Sequence, residues 1–286
     1  MNFGRLITAM VTPFTDSLEI DYDKVDLLVD HLIEQGNDSI VVAGTTGESP
    51  NLTKDEKIKL FQTVVARANG KVKVIAGTGS NNTKESIALS KEAEQIGVDG
   101  IMLVVPYYNK PSQEGLYNHF KIIAESVSLP VMLYNVPGRT AINMCADTVV
   151  KLSKIDNITC IKEASGNLAQ ISNIISNTDS NFIVYSGDDA NTLPILSIGG
   201  YGVVSVAGHI VGNEIKAMIN EYLAGNVTVS ASLHHKLMPI FDGMFITSNP
   251  VPVKAALKIK YLDVGSVRPP LVFANNNEIE KLKAIL

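Results

Sequence analysis

Cysteine is scarce. Cys145 and Cys160 are the only two in 286 residues, too few for a disulfide framework or a tetrathiolate zinc site. Both sit inside apolar segments and read as core residues in a reducing compartment. Long apolar runs are lacking as well: no stretch approaches the roughly 18 to 20 residues that a spanning helix needs. The chain reaches Pro13 without the apolar region and small-residue cleavage site of a signal peptide. The expectation is a cytoplasmic protein with no membrane partner. Nor is there an excess of basic charge, since 24 lysines and arginines against 29 acids give a formal net charge of -5 with the signs interspersed. Without a basic stripe to follow a phosphate backbone, nucleic acid is not an expected partner. A Pro/Gly/Ser-rich linker is also absent before about residue 225. Hydrophobic residues at 45% and charged ones at 19% allow one large domain or two modest ones.

What is present is alternation. Short apolar runs rich in β-branched residues occur at 6–11, 39–43, 72–76, 101–105, 131–134, 158–162, 182–185 and 203–206. Most lack polar alternation, as strands covered on both faces do. Between them lie helical patterns, at 21–35 closed by Gly36, 53–68 closed by Gly70 and 83–96 closed by Gly97. Thr53 and Glu56 have capping-box spacing. Eight such runs fit a closed (β/α)8 TIM barrel, an α/β fold, with an open doubly wound sheet as the main competitor. After the eighth run the segments 214–223, 227–241, 253–261 and 278–286 are all helix-like, with no strand between them. The expected organisation is a catalytic barrel over residues 1–224 and a C-terminal helical extension over 225–286.

In a barrel the strand ends face the active site. Here they carry GTTGES (44–49), PYYNKPS (106–112), YNVPGRT (134–140), IKEASG (161–166) and SGDDA (186–190). Lys162 closes an apolar strand, and alternation places Ile158, Cys160 and Lys162 on one face with Glu163 opposite. Loss of hydration there favours a free amine that can attack a carbonyl. On position alone, the commoner outcome is a lysine whose head reaches the rim or pairs with an acid. Tyr134 ends the fifth strand, where a phenol could shuttle a proton to or from a lysine-bound carbonyl or simply pack at the rim. Arg139 follows a Pro-Gly turn and could clamp a carboxylate or stand in solvent. GTTGES lacks the Gly-Lys-Ser/Thr of a phosphate loop, and GTGSNN (77–82) fails the dinucleotide fingerprint. His31, His119, His209, His234 and His235 show no ligand spacing, and Asp189 beside Asp188 reads as a helix cap rather than a cation ligand. No metal or other cofactor is expected.

Those strand-end motifs, with PYYNKPSQEGL (106–116), IKEASGN (161–167) and NPVPVKAAL (249–257), closely resemble the dihydrodipicolinate synthase family over essentially the whole chain. The resemblance implies a class I aldolase-type enzyme that condenses pyruvate with L-aspartate 4-semialdehyde in lysine and diaminopimelate biosynthesis. By resemblance Lys162 forms the Schiff base with pyruvate, and Tyr134, Thr45 and Tyr108 form a proton relay. Thr46 binds the pyruvate carboxylate and Arg139 that of the semialdehyde, while Gly187 and Val204, often isoleucine in the family, line the site by backbone. An iminium is itself the electron sink that makes the pyruvate methyl acidic, so no cofactor is implied.

The resemblance further implies a homodimer or homotetramer, with Tyr108 inserted across an interface. N-acetylneuraminate lyase and the 2-keto-3-deoxy sugar-acid aldolases share the barrel and the lysine; they usually carry GSTGE and lack Pro-Gly-Arg-Thr. A catalytically silent keto-acid sensor would be expected to lose Lys162 or Tyr134. Some members bind L-lysine at an interface cleft whose residues resemble Ser49, Asn81, Glu85 and Tyr107. Two histidines expected near that cleft are Lys54 and Lys57 here, so feedback by L-lysine is expected to be weak or absent.

Overall fold

In the computed structural model, which describes residues 2–286, eight parallel strands pair in chain order and the eighth returns to the first. They are β1 (Leu6–Ala9), β2 (Ser39–Val42), β3 (Lys73–Gly77), β4 (Gly100–Val104), β5 (Val131–Asn135), β6 (Ile158–Glu163), β7 (Ile183–Ser186) and β8 (Gly202–Ser205). The sheet is the closed barrel and not the open alternative. Around it run α1 (Tyr22–Glu34), α2 (Lys54–Ala68), α3 (Thr83–Ile96), α4 (Gln113–Ala124), the single turn α5 (Pro137–Thr140), α6 (Ala146–Leu152), α7 (Leu168–Asn177), α8 (Thr192–Ser197) and α9 (Gly208–Leu223). Then come α10 (Val227–Gly243), α11 (Val251–Lys260) and α12 (Asn276–Ile285), with no strand among them. The Thr53 capping box opens α2, and Gly97 closes α3 at φ 90°.

Two apolar layers explain why the strands read as continuous hydrophobic runs. Ile7, Val41, Ile75, Met102, Met132, Cys160, Tyr185 and Val204 fill the barrel. Their strand neighbours Leu6, Ile40, Val74, Ile101, Leu133, Ile161, Val184 and Val203 pack outward under the helices. Both faces are dry, so the period of two is hidden from the sequence although the geometry obeys it.

Three sequence expectations need correction. Ile158 does not share a face with Cys160 and Lys162: the β5–β6 register shifts between Val131 and Met132, and Ile158 joins the outer layer with Ile161. Cys145 is exposed at the start of α6, whereas Cys160 is buried in the barrel, where burial pushes its thiol up to about 12. Asp189 does not cap its own helix. Its buried carboxylate accepts from Ser205 Oγ and from the amides of Val206 and Ala207, at 2.9 and 3.0 Å, and so ties the end of β7 to the turn after β8.

The ninth helix starts six residues earlier than the pattern at 214–223 indicated, because tertiary contacts hold a first turn of poor helix formers. Val211 is non-helical at φ -135°, ψ 38°. The buried His209 ring pins this turn: Nδ1 donates to Val206 O at 2.8 Å, and Nε2 accepts from the Val11 amide at 3.1 Å. Burial pushes His209 down to about 4. Between there and the ordinary value of 6.5 the unfolded chain holds the extra proton, so stability is full above about 6.5 and falls as pH drops toward 4. Taking the protein from pH 7 to pH 5 is expected to remove about 2 kcal/mol through this ring. Urea midpoints at the two pH values, with the His209 titration followed by NMR, check this.

Candidate active site

The strand ends converge on one cavity of about 670 Å³ at the C-terminal mouth of the barrel. Thr45 and Thr46 enter it from the loop after β2, Tyr134 from β5, Arg139 from α5, Lys162 from β6 and Gly187 from the turn after β7. A second cavity of about 280 Å³ shares Thr45, Tyr134, Val136 and Arg139 and extends past Ser49, Lys57, Ser80 and Tyr107. The two form one groove across the mouth.

Lys162 is 5% exposed, and its Nζ lies 4.3 Å from the centre of the Tyr134 ring. The register puts the two residues opposite one another. Lys162 has no carboxylate at ion-pair distance among the described residues, and neither does Arg139, which stands exposed on its single turn. Gly187 is needed for space. A Cβ there would lie 2.7 Å from Ala164 Cβ and 3.1 and 3.2 Å from Lys162 Cγ and Cε, so the lysine stem passes only because that atom is missing. An amine, a phenol and a guanidinium thus face one partly dry volume, a set suited to carbonyl chemistry on anionic substrates.

Two of the expected residues are not brought into this volume. Val204 is buried in the barrel interior one layer below, and Val206 lines the cavity in its place. Tyr108 is 89% exposed and holds φ 73°, a left-handed conformation that costs a bulky residue on the order of 1 kcal/mol or more. Hydrogen bonds on either side hold its loop: Asn81 Nδ2 donates to Tyr107 O at 3.2 Å, and Asn109 Nδ2 to Asn81 O at 2.9 Å. Of the two lysines near the second cavity, Lys57 lines it, with its ammonium pushed down by burial and partly restored by Glu85. Lys54 instead pairs with Glu92 at 3.1 Å on the exposed side.

Other contributors were missed from sequence. Phe241, Asp242 and Phe245, in and just after α10, wall the cavity, and Asn249 Nδ2 donates to Thr46 Oγ1 at 2.9 Å. Beneath the GTTGES loop, Glu48 adopts φ 56° and turns its carboxylate inward. Lys254 Nζ of α11 stands 2.8 Å from it, with both side chains fully buried, and donates to Ser266 O at 2.7 Å. The amide of Arg268 completes the Glu48 site at 2.9 Å, while its guanidinium grips Glu56 at 2.6 and 3.0 Å. Burial pushes Lys254 down to about 8 against the pull of Glu48. A lysine inside the apolar run VPVKAAL was the available signal, since such a charge requires a buried partner.

The closed barrel and its mouth define the class as a (β/α)8 protein with a lysine-bearing site at the strand ends. A model of the dihydrodipicolinate synthetase family matches residues 2–286. The 4-hydroxy-tetrahydrodipicolinate synthase of Oceanobacillus iheyensis is 56% identical, covering 100% of this chain and 97% of its own. That of Bacillus subtilis is 57% identical, covering 97% and 96%. Among solved structures, a dihydrodipicolinate synthase from Bacillus anthracis superposes at TM-score 0.98 with 52% identity, covering 100% of this chain and 98% of that one. The enzyme from Cyanidioschyzon merolae, solved with lysine bound, matches at TM-score 0.98 and 48% identity, covering 99% and 97%. The chain belongs to the dihydrodipicolinate synthetase family. Among the described residues no group of three or more His, Cys, Asp or Glu side chains is gathered for a metal ion, and no helix is long and apolar enough to cross a membrane.

The Glu48–Lys254 pair generates a stability prediction. Lys254→Met alone should cost about 3 to 5 kcal/mol, because it leaves a buried carboxylate unpaired, whereas Glu48→Gln with Lys254→Met should recover most of that loss. Urea denaturation of the three proteins measures both quantities.

Proposed function

We propose that this protein is a 4-hydroxy-tetrahydrodipicolinate synthase, joining pyruvate to L-aspartate 4-semialdehyde through a Schiff base on Lys162. The observation that carries the reading is Lys162 itself: buried, without an ion-pair partner, beside the Tyr134 ring and facing a cavity that also presents Arg139. The relatives' names support the choice of substrates. The Lys162 amine attacks the pyruvate ketone and water leaves, giving an iminium. Loss of a methyl proton then gives an enamine, whose carbon attacks the aldehyde of the second substrate. Tyr134 and Thr45 carry protons between the bound carbonyl and the groove, and Thr46, oriented by Asn249, receives the pyruvate carboxylate. Arg139 takes the carboxylate of the semialdehyde. Gly187 gives the lysine its path, and Val204 supports the floor from below.

In this reading Tyr108 serves the neighbouring protomer of a homo-oligomer, which accounts for a strained tyrosine projecting away from its own chain. Lys57 opposes a cationic effector in the second cavity, so L-lysine is a poor ligand.

Pyruvate with borohydride should leave an adduct on Lys162, located by peptide mapping, and Lys162→Ala should abolish it. Turnover with aspartate semialdehyde but not N-acetylmannosamine distinguishes a synthase from a lyase. Arg139→Ala should spare the adduct yet lose about 2 to 4 kcal/mol of transition-state binding to the semialdehyde, roughly 30 to 800-fold in rate. Equal loss in both steps would assign Arg139 to the fold.

Mixed oligomers of Lys162→Ala and Tyr108→Phe subunits should regain activity, because one site per hybrid pair is then intact; hybrids that form and stay inactive would contradict action in trans. Finally, steady-state assays should give half-inhibition by L-lysine only well above about 1 mM, an affinity worth about 4 kcal/mol.

A further inference from the structure

Tyr134 and Lys162 are register partners, and so are the next two residues, Asn135 and Glu163. Alternation turns the first pair into the mouth and the second outward, behind it. Glu163 is 1% exposed, and its carboxylate accepts from Asn135 Nδ2 at 3.1 and 3.3 Å, from Gln170 Nε2 at 3.2 Å and from the Ser165 amide at 2.7 Å. Asn135, fully buried, also donates to Asn143 Oδ1 at 2.8 Å and accepts from the Met144 amide at 3.0 Å. Glu163 makes no ion pair among the described residues. A carboxylate buried without a cation is costly where Leu133 and Ile161 show that apolar packing suffices. Its position therefore calls for a role.

The β5–β6 ladder itself is irregular, with its register shifted near Val131 and Met132. From this we infer that Glu163 and Asn135 are positioning residues for the Schiff-base chemistry, an outward clamp that fixes the two strand ends so that Tyr134 stays against Lys162. The inference rests on the reading of Lys162 given above. A displacement of about 1 Å between reacting groups costs on the order of 100-fold in rate, so a loosened strand end would show in turnover.

Glu163→Gln opens the clamp at constant volume. Its amide would meet the Asn135 and Gln170 donors, and Asn135 cannot turn to receive it without losing the Met144 amide. The control is Asn157→Ala, which removes a side chain donating to Ala124 O, Val127 O and Leu129 O, at 2.9, 3.1 and 3.1 Å, just before β6 at the other end of the strand. For each protein, kcat, KM for pyruvate, the rate of borohydride capture on Lys162 and the urea midpoint are measured. Glu163→Gln should lower kcat about 10 to 100-fold and slow capture, with KM for pyruvate changed less than about threefold. Asn157→Ala should lose stability while keeping kcat within about twofold. Asn135→Ala attacks the clamp from the other strand and decides the matter should Glu163→Gln not fold. Wild-type kcat and capture in the folded clamp variants would overturn the inference alone. Absence of any Lys162 adduct in the wild type would overturn the functional reading and the clamp together.

Discussion

The buried Glu48–Lys254 pair holds the C-terminal helices against the mouth of the barrel, and much of the site depends on that attachment. Two charges removed from water repay their desolvation only when every remaining lone pair and proton is satisfied. Here Lys254 Nζ also donates to Ser266 O and lies 4.1 Å from the centre of the Phe14 ring, and the Arg268 amide donates to Glu48 Oε2, while Glu48 Oε1 is held by the lysine's charge alone. Because Glu48 belongs to the loop that bears Thr45 and Thr46, the pair fixes the loop that supplies two of the cavity's hydroxyls. Because Lys254 belongs to α11, it also fixes the preceding turn with Asn249, and Phe245 before it. The same interaction therefore sets both the floor and the outer wall of the groove.

Strand order, barrel closure and the helical tail were legible in the sequence because most strands are dry on both faces and the first three helices carry their own punctuation. The Thr53 capping box and Gly97 are local signals, and they placed the start of α2 and the end of α3 to within a residue, whereas α2 is closed by a left-handed Asn69 and not by Gly70. What sequence could not supply was parity across an irregular ladder. Ile158 turns outward because of its pairing with β5, a tertiary fact with no trace in residues 158–162. The start of α9 was hidden in the same way, since Gly208, Ile210 and Val211 are poor helix formers held by a buried histidine.

Of the candidate site, Lys162, Tyr134 and Arg139 were found because strand ends have a known address in a barrel, whereas Thr45, Thr46 and Gly187 were named through the family resemblance; all six meet at one volume. Val204 and Tyr108 fall outside it for different reasons: one lies a layer too deep, and the other is turned away by a left-handed backbone. Asn249, Phe241 and Phe245 were invisible as site residues because α10 and the turn between it and α11 follow the barrel and carry no strand-end signature. Lys254 was visible only as an anomaly, one charge within an apolar helix.

The separation of Glu48 from Lys254 along the chain has a consequence for synthesis. As the polypeptide leaves the ribosome, β1 through β8 can emerge and pair while the cation that Glu48 requires is still inside the exit tunnel. Until Lys254 is free, the Glu48 carboxylate of the GTTGES loop has no cation to neutralise it within the fold, and until Arg268 follows it lacks its amide donor. Vectorial folding would then complete the mouth of the barrel only after its eight strands have been made.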